Sequence, residues 1–289
     1  MIYSPTELYL FYQEPLTPFT GTEAVAIFAF TGLLIGSFLN VVIHRLPLMM
    51  AAQWREQARD FLELPAEDVV PFSLASPGSQ CPSCQQPIKP YENIPILSWL
   101  LLGRKCSHCH LAISGRYPLV ELLSALLSGV VAYQLGITLE SLLVLLLTFH
   151  LIAIAFIDYD HQIIPDSLVL PLLWLILICA VTGFPQSAPE AIVGAAVGYL
   201  SLWSVSKLYK LVRKIEGIGH GDFKLLAIFG ALSGWQSVFT TLILAAFIGL
   251  VFALPLLFKK SSLQTAIPFG PAIAIAGWIT LIFNSWVIL

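Results

Sequence analysis

The chain has 289 residues, of which 57% are apolar and 11% charged, with a formal net charge of −3 and a mean hydropathy of +0.85. A water-soluble domain of this size carries about twice that share of charge, so there is too little polar surface here to cover a globule, and a soluble enzyme is excluded. The composition reads as a polytopic membrane protein with the lipid bilayer as its surroundings, and no nucleic-acid partner is expected.

The first twenty-three residues hold no Lys or Arg and carry Glu7, Glu14 and Glu23, so this end lacks the basic start of a secretory signal peptide. Apolar runs follow at 24–43, 118–135, 141–157, 167–182, 191–206, 223–234, 236–258 and 266–288. Most approach the length of about 20 residues that a helix needs to cross a bilayer. The predicted architecture is all-α, with about eight transmembrane helices. The sixth run is too short to cross alone and reads as a half-helix or an extension of its neighbour.

The basic residues orient this set. Arg45, Arg55, Arg59, Lys89, Arg104, Lys105 and Arg116 follow the first run; Lys207, Lys210, Arg213, Lys214 and Lys224 cluster after the fifth; Lys259 and Lys260 follow the seventh. All lie on one side of the membrane if the N-terminus starts outside and the sixth run counts as a crossing. By the positive-inside rule that side is the cytosol, and both termini face away from it. The chain then divides into an extracytoplasmic N-terminus and first span (1–43), a cytosolic four-cysteine domain (44–117) and a membrane-embedded domain (118–289).

The cytosolic loop contains Cys81-Pro-Ser-Cys84 and Cys106-Ser-His-Cys109, with 21 residues between the pairs. Two thiolate pairs at this spacing suit one tetrahedral zinc ion, each pair forming a small knuckle. A reducing cytosol favours metal over disulfides, and a loop too small for much core gains folding free energy from the ion. Four protein ligands leave no open position, so the site reads as structural. His108 and His110 read as solvated neighbours, and Cys179, inside an apolar run, as a packing residue.

Ionisable groups at the edge of a membrane are costly and invite a functional reading. Asp158 follows seven apolar residues where the third run reaches the cytosol, ahead of Asp160, His161 and Asp166. Asp166 follows Pro165 and precedes an apolar run, as a helix N-cap does. Asp222 opens the sixth run on the same side, behind Gly219 and Gly221, which permit unusual backbone angles and close approach of a substrate strand. Two carboxylates held together share a proton, so that one takes a proton from water while the other donates to a scissile carbonyl. The competing reading is a transporter or channel, which predicts acids near mid-membrane and a repeated architecture; neither is visible in the sequence.

Gly219-His-Gly221-Asp222 resembles the Gly-x-Gly-Asp signature of membrane aspartyl proteases. Gly36-Ser-Phe-Leu-Asn-Val-Val-Ile-His-Arg-Leu-Pro47, the cysteine loop with Tyr91-Glu-Asn-Ile-Pro95, Arg116-Tyr-Pro-Leu-Val-Glu121 and Pro268-Phe-Gly-Pro271 are similar to motifs of the bacterial prepilin peptidases. These are the bifunctional leader peptidase/N-methyltransferases of type IV pilus and type II secretion systems. The resemblance implies catalysis by Asp158 and Asp222, and it selects Asp158 over Asp160 and Asp166. It also implies cleavage of the basic leaders of prepilins and pseudopilins at the cytosolic face of the inner membrane, and methylation of the new N-terminal amine with S-adenosylmethionine as donor. No nucleotide-binding loop is legible, so donor-binding residues are not assigned; the cytosolic loop, including Glu92 and Arg116, is the place to look.

Overall fold

A computed structural model of the protein describes residues 12, 14–65, 72–214, 217–258 and 268–283. Glu7, Lys259, Lys260 and the outer parts of the last predicted run lie outside the described residues. Among the described residues the chain is nearly all helical: α1 (Thr22–Phe61), α2 (Leu97–Leu101), α3 (Arg116–Leu135), α4 (Leu139–His161), α5 (Asp166–Val181), α6 (Ala188–Arg213), α7 (His220–Ser233), α8 (Trp235–Phe258) and α9 (Gly270–Phe283). Among the described residues there are two isolated β-bridges and no strands. Each of the eight predicted runs coincides with a helix. Five of these, α1, α3, α4, α6 and α8, are long and apolar enough to cross a membrane, as a multi-pass membrane protein requires.

The chain divides into two compact units, one from Gly21 to Tyr133 and the other from the remainder. In the first, α1 does not stop near residue 43, where its apolar run ends. It continues through Pro47 to Phe61, 40 residues in all. The apolar half packs on α3 through small residues. A Cβ added at Gly32 would come 2.6 Å from the Ser124 carbonyl oxygen, and one at Gly36 would come 2.8 Å from the Glu121 Cα. Glycines four apart remove the side-chain layer between two helices, which is how helices approach closely where no water is present to drive them together. Asn40 then ties the pair with an amide hydrogen bond to the Tyr117 carbonyl at 3.1 Å.

In the second unit, Thr138 and Ser141 open α4 with reciprocal capping bonds of 2.9 and 3.0 Å. Ser187 and Glu190 do the same for α6, with Pro189 beside them in the first turn. The short α7 lies at the centre. Every residue from Asp222 to Leu232 except Lys224 is buried, which is the pattern of a helix surrounded by protein. The shortness of the sixth predicted run thus reflects a core helix, ended by Gly234 at φ 84° before α8 begins. Gly194 and Gly198 of α6 seat it: a Cβ at Gly194 would overlap the Gly230 carbonyl, and one at Gly198 would come 2.7 Å from the Leu226 oxygen. On the other side the Trp278 indole of α9 donates to Thr148 of α4 at 2.9 Å.

Candidate active site

Connectivity within the second unit puts one end of several helices together. The segment 162–165 joins the end of α4 to the start of α5, and the ion pair of Lys224 with Asp166 (2.6 Å) ties the start of α7 to the start of α5. The basic end of α6, with Lys210, Arg213 and Lys214, leads into the start of α7 on the same side. Asp158, in the last turn of α4, and Asp222, in the first turn of α7, are both found here.

Both carboxylates are buried, at 6% and 7% exposure. Asp158 Oδ2 accepts the Gly270 N–H from the start of α9 at 3.0 Å. The Asp222 carboxylate accepts the Gly219 N–H and lies within Coulombic reach of Asp158. Its Oδ1 is buried without a hydrogen-bond partner among the described residues. A buried acceptor left unpaired costs about 1–3 kcal/mol, so this oxygen is an opening for a donor such as water or a substrate group.

Ile164 sets the spacing of these pieces. A Cβ at Gly221 would come 2.6 Å from Ile164 Cβ, and one at Gly270 would come 3.0 Å from Ile164 Cδ1 and 2.5 Å from Asp158 Oδ2. The glycines therefore act through close packing. The expectation of unusual backbone angles does not hold: Gly219 has φ −70° and ψ 147°, which any residue adopts, and Gly221 is an ordinary helical residue. Asp166 also departs from its expected capping role. It is the first helical residue of α5, after Pro165, and makes no side-chain capping bond; it pairs with Lys224 instead, because that cation stands at hydrogen-bond distance at the start of the central helix. Asp160 and His161 are exposed.

Sequence reasoning missed the role of Gly270. Its signal was present in the Phe-Gly-Pro of the last span, where a glycine precedes a proline at a helix start. Gly270→Ala forces a methyl group against the Asp158 carboxylate and moves it by several tenths of an ångström or more. Misplacement of this order costs up to about 10²-fold in rate at a reacting group, so an activity that uses Asp158 should fall by up to that factor with the helices still folded, measured by initial rates and circular dichroism.

The four cysteines form a separate site in the first unit. Two knuckles repeat with an offset of 25 residues. Cys81 and Cys106 donate N–H groups to Gln86 and Leu111, both at 2.9 Å, while Gln85 and His110 donate back to the carbonyls of Cys81 and Cys106 at 2.9 and 3.1 Å. The bridges Gln80–Pro87 and Lys105–Ala112 close the two turns. Gln85 and His110 both have φ 57°, so His110 is a left-handed turn residue equivalent to Gln85 of the other knuckle, and it is not among the clustered ligand atoms. The four Sγ atoms lie within 4.8 Å of one another, with Cys81 and Cys109 3.8 Å apart. A tetrahedral ion with bonds of about 2.3 Å to sulfur requires an S–S edge of about 3.8 Å, so these residues fit a four-thiolate metal site. N–H groups of Cys84 and Ser83 aimed at the Cys81 sulfur outweigh its burial and favour its thiolate, while the neighbouring thiols push Cys109 the other way, as expected where four sulfurs crowd together without a cation between them.

Comparison with known proteins places the chain in a family. Residues 30–135 match the bacterial peptidase A24 N-terminal domain, and residues 145–254 match the type IV leader peptidase family. The chain is 54% identical over 256 residues to a prepilin leader peptidase/N-methyltransferase of Stutzerimonas stutzeri, covering 88% of this chain and 89% of that one. It is 49% identical over 276 residues to the protein of the same name from Pseudomonas aeruginosa, covering 94% and 95% of the two chains. The corresponding protein of Neisseria gonorrhoeae is 44% identical over 272 residues, with 93% of each chain covered. No solved structure matches the chain significantly. At this identity and coverage, the chain belongs to the type IV leader peptidase family.

Proposed function

We propose that the protein removes the basic leader from prepilins and pseudopilins at the cytosolic face of the bacterial inner membrane and methylates the amine so released. The observation that carries the peptidase half is the pair of buried carboxylates, Asp158 and Asp222, brought from two helices to one end of the second unit. Two buried acids within Coulombic reach of one another favour holding one proton between them. The ionised one takes a proton from a water, whose oxygen attacks the scissile carbonyl, while the protonated one donates to the carbonyl oxygen. The tetrahedral intermediate collapses as the C–N bond breaks and the leaving amine takes up a proton. No metal and no covalent enzyme intermediate is needed. A substrate with a basic leader and a following apolar helix leaves its scissile bond at the membrane edge, level with the ends of α4 and α7.

S-adenosylmethionine supplies an electrophilic methyl group when bound. The new N-terminal amine forms the N–C bond as the S–C bond breaks, and one proton leaves the nitrogen. Purified protein incubated with a prepilin and methyl-labelled S-adenosylmethionine should yield a free leader and a labelled mature pilin. Intact prepilin after prolonged incubation would overturn the peptidase reading, and cleaved but unlabelled pilin would overturn the methyltransferase reading.

The four-thiolate site is assigned to zinc in a structural role. Metal analysis should find about one zinc per chain, lost in Cys81→Ser or Cys109→Ser, together with a lower unfolding temperature of the first unit, because binding free energy at such sites is folding free energy. A metal-free protein with unchanged stability in both variants contradicts this assignment.

A further inference from the structure

The first unit contains a cavity of about 430 Å³ that neither catalytic acid lines. That is within the size range of small-molecule and cofactor sites. Its walls combine apolar and aromatic groups, among them Trp99, with Ser37, Asn40, Glu92 and Glu121. Of the two loop residues singled out in the sequence, Glu92 lines it and Arg116 does not.

Glu121 is the unusual member. It is 7% exposed, in the second turn of α3. It accepts the Ile96 N–H at 2.7 Å and the Ser37 hydroxyl. No cation among the described residues pairs with it. The cation that shares the cavity wall, Arg45, spends its guanidinium on the carbonyls of Ser73, Leu74 and Gly78 at 3.0–3.3 Å. A carboxylate removed from water without a counter-ion is costly, and a cationic ligand offsets that cost. The backbone around it is also held in an unfavourable state. Ile96, whose N–H feeds Glu121, has φ 58° and ψ −48°. A β-branched residue is rarely found at positive φ, and such strain gathers at ligand sites.

We infer that this cavity binds S-adenosylmethionine with the Glu121 carboxylate facing the sulfonium cation. The inference rests on the methyltransferase half of the proposed function. It adds the site: a cavity large enough for the donor, with a buried, hydrogen-bonded carboxylate lacking a counter-ion where the donor carries a permanent positive charge. After methyl transfer the sulfur is a neutral thioether, so the same carboxylate holds the product less well and favours its exchange for fresh donor.

Glu121→Gln tests this, since the amide oxygen keeps an acceptor for the Ile96 N–H while the charge is removed. Equilibrium dialysis with labelled S-adenosylmethionine should show affinity reduced by on the order of tenfold or more, the size expected for losing a hydrogen-bonded charge. Affinity for S-adenosylhomocysteine, which lacks the sulfonium charge, should change little. Prepilin cleavage should persist, which shows that the variant is folded. Ultraviolet cross-linking of the labelled donor to the wild-type protein gives a readout independent of any variant and should label peptides within residues 37–121. Unchanged donor affinity in Glu121→Gln, an equal loss for both ligands, or label confined to residues outside 37–121 would overturn the inference. A wild-type protein that neither binds the donor nor transfers methyl would instead overturn the methyltransferase reading on which it rests.

Discussion

Asp158→Asn and Asp222→Asn are each expected to lower leader cleavage by about 10²–10⁴-fold or more, the contribution of a positioned acid–base group. The substitutions are close to isosteric and keep the local hydrogen bonds. An amide oxygen at position 158 still accepts the Gly270 N–H, and one at position 222 still accepts the Gly219 N–H. What each loses is the ability to share a proton with its partner, and the reaction needs both the base and the acid form. Structure and stability should therefore change little. Methyl transfer to a pilin whose leader has already been removed should persist in both variants, because neither acid belongs to the first unit, where the donor cavity is found. Initial rates on a prepilin and on a pre-cleaved pilin, compared by mass spectrometry, separate the two activities.

The second large effect is on folding. Gly194 and Gly230 bring the backbones of α6 and α7 so close that a Cβ on either would overlap the carbonyl of the other. Gly194→Ala must push the helices apart, and overpacking of this kind costs about 1–3 kcal/mol or more. The larger Gly194→Leu is expected to prevent the second unit from assembling. That displacement also carries α7, and with it Asp222, away from Asp158, so cleavage falls in step with stability. Gly78→Ala is the control: nothing lies within 4 Å of a Cβ there and its backbone angles suit alanine, so both stability and cleavage should match wild type. Thermal unfolding in detergent distinguishes the three.

Much of this was legible in the sequence, and what was not has physical reasons. Apolar runs located eight of the nine described α-helices, five of them long enough to cross a bilayer, and the short sixth run marked the central helix. Cysteine spacing located the thiolate cluster because two tight knuckles require that pattern. The two acids stood out because charge at a membrane edge is expensive. The continuation of α1 through Pro47 was hidden, since a helix leaving the membrane needs no apolar run to persist. Asp166 was misjudged as a cap because Lys224, 58 residues away, could not be seen beside it. The bond from Gly270 to Asp158 spans 112 residues and is likewise a product of the fold. The glycine pairs Gly32–Gly36 and Gly194–Gly198, each four apart within an apolar run, carry helix-packing signals and lie at close helix contacts in both units.

The central claim is that Asp158 and Asp222 act as one catalytic unit, and the cleavage rate of the double variant Asp158→Asn/Asp222→Asn tests it most directly. Groups that act together are lost together, so the double variant should cleave prepilin about as slowly as either single variant. Losses that multiply, or a single variant that cleaves near the wild-type rate, would contradict a shared site.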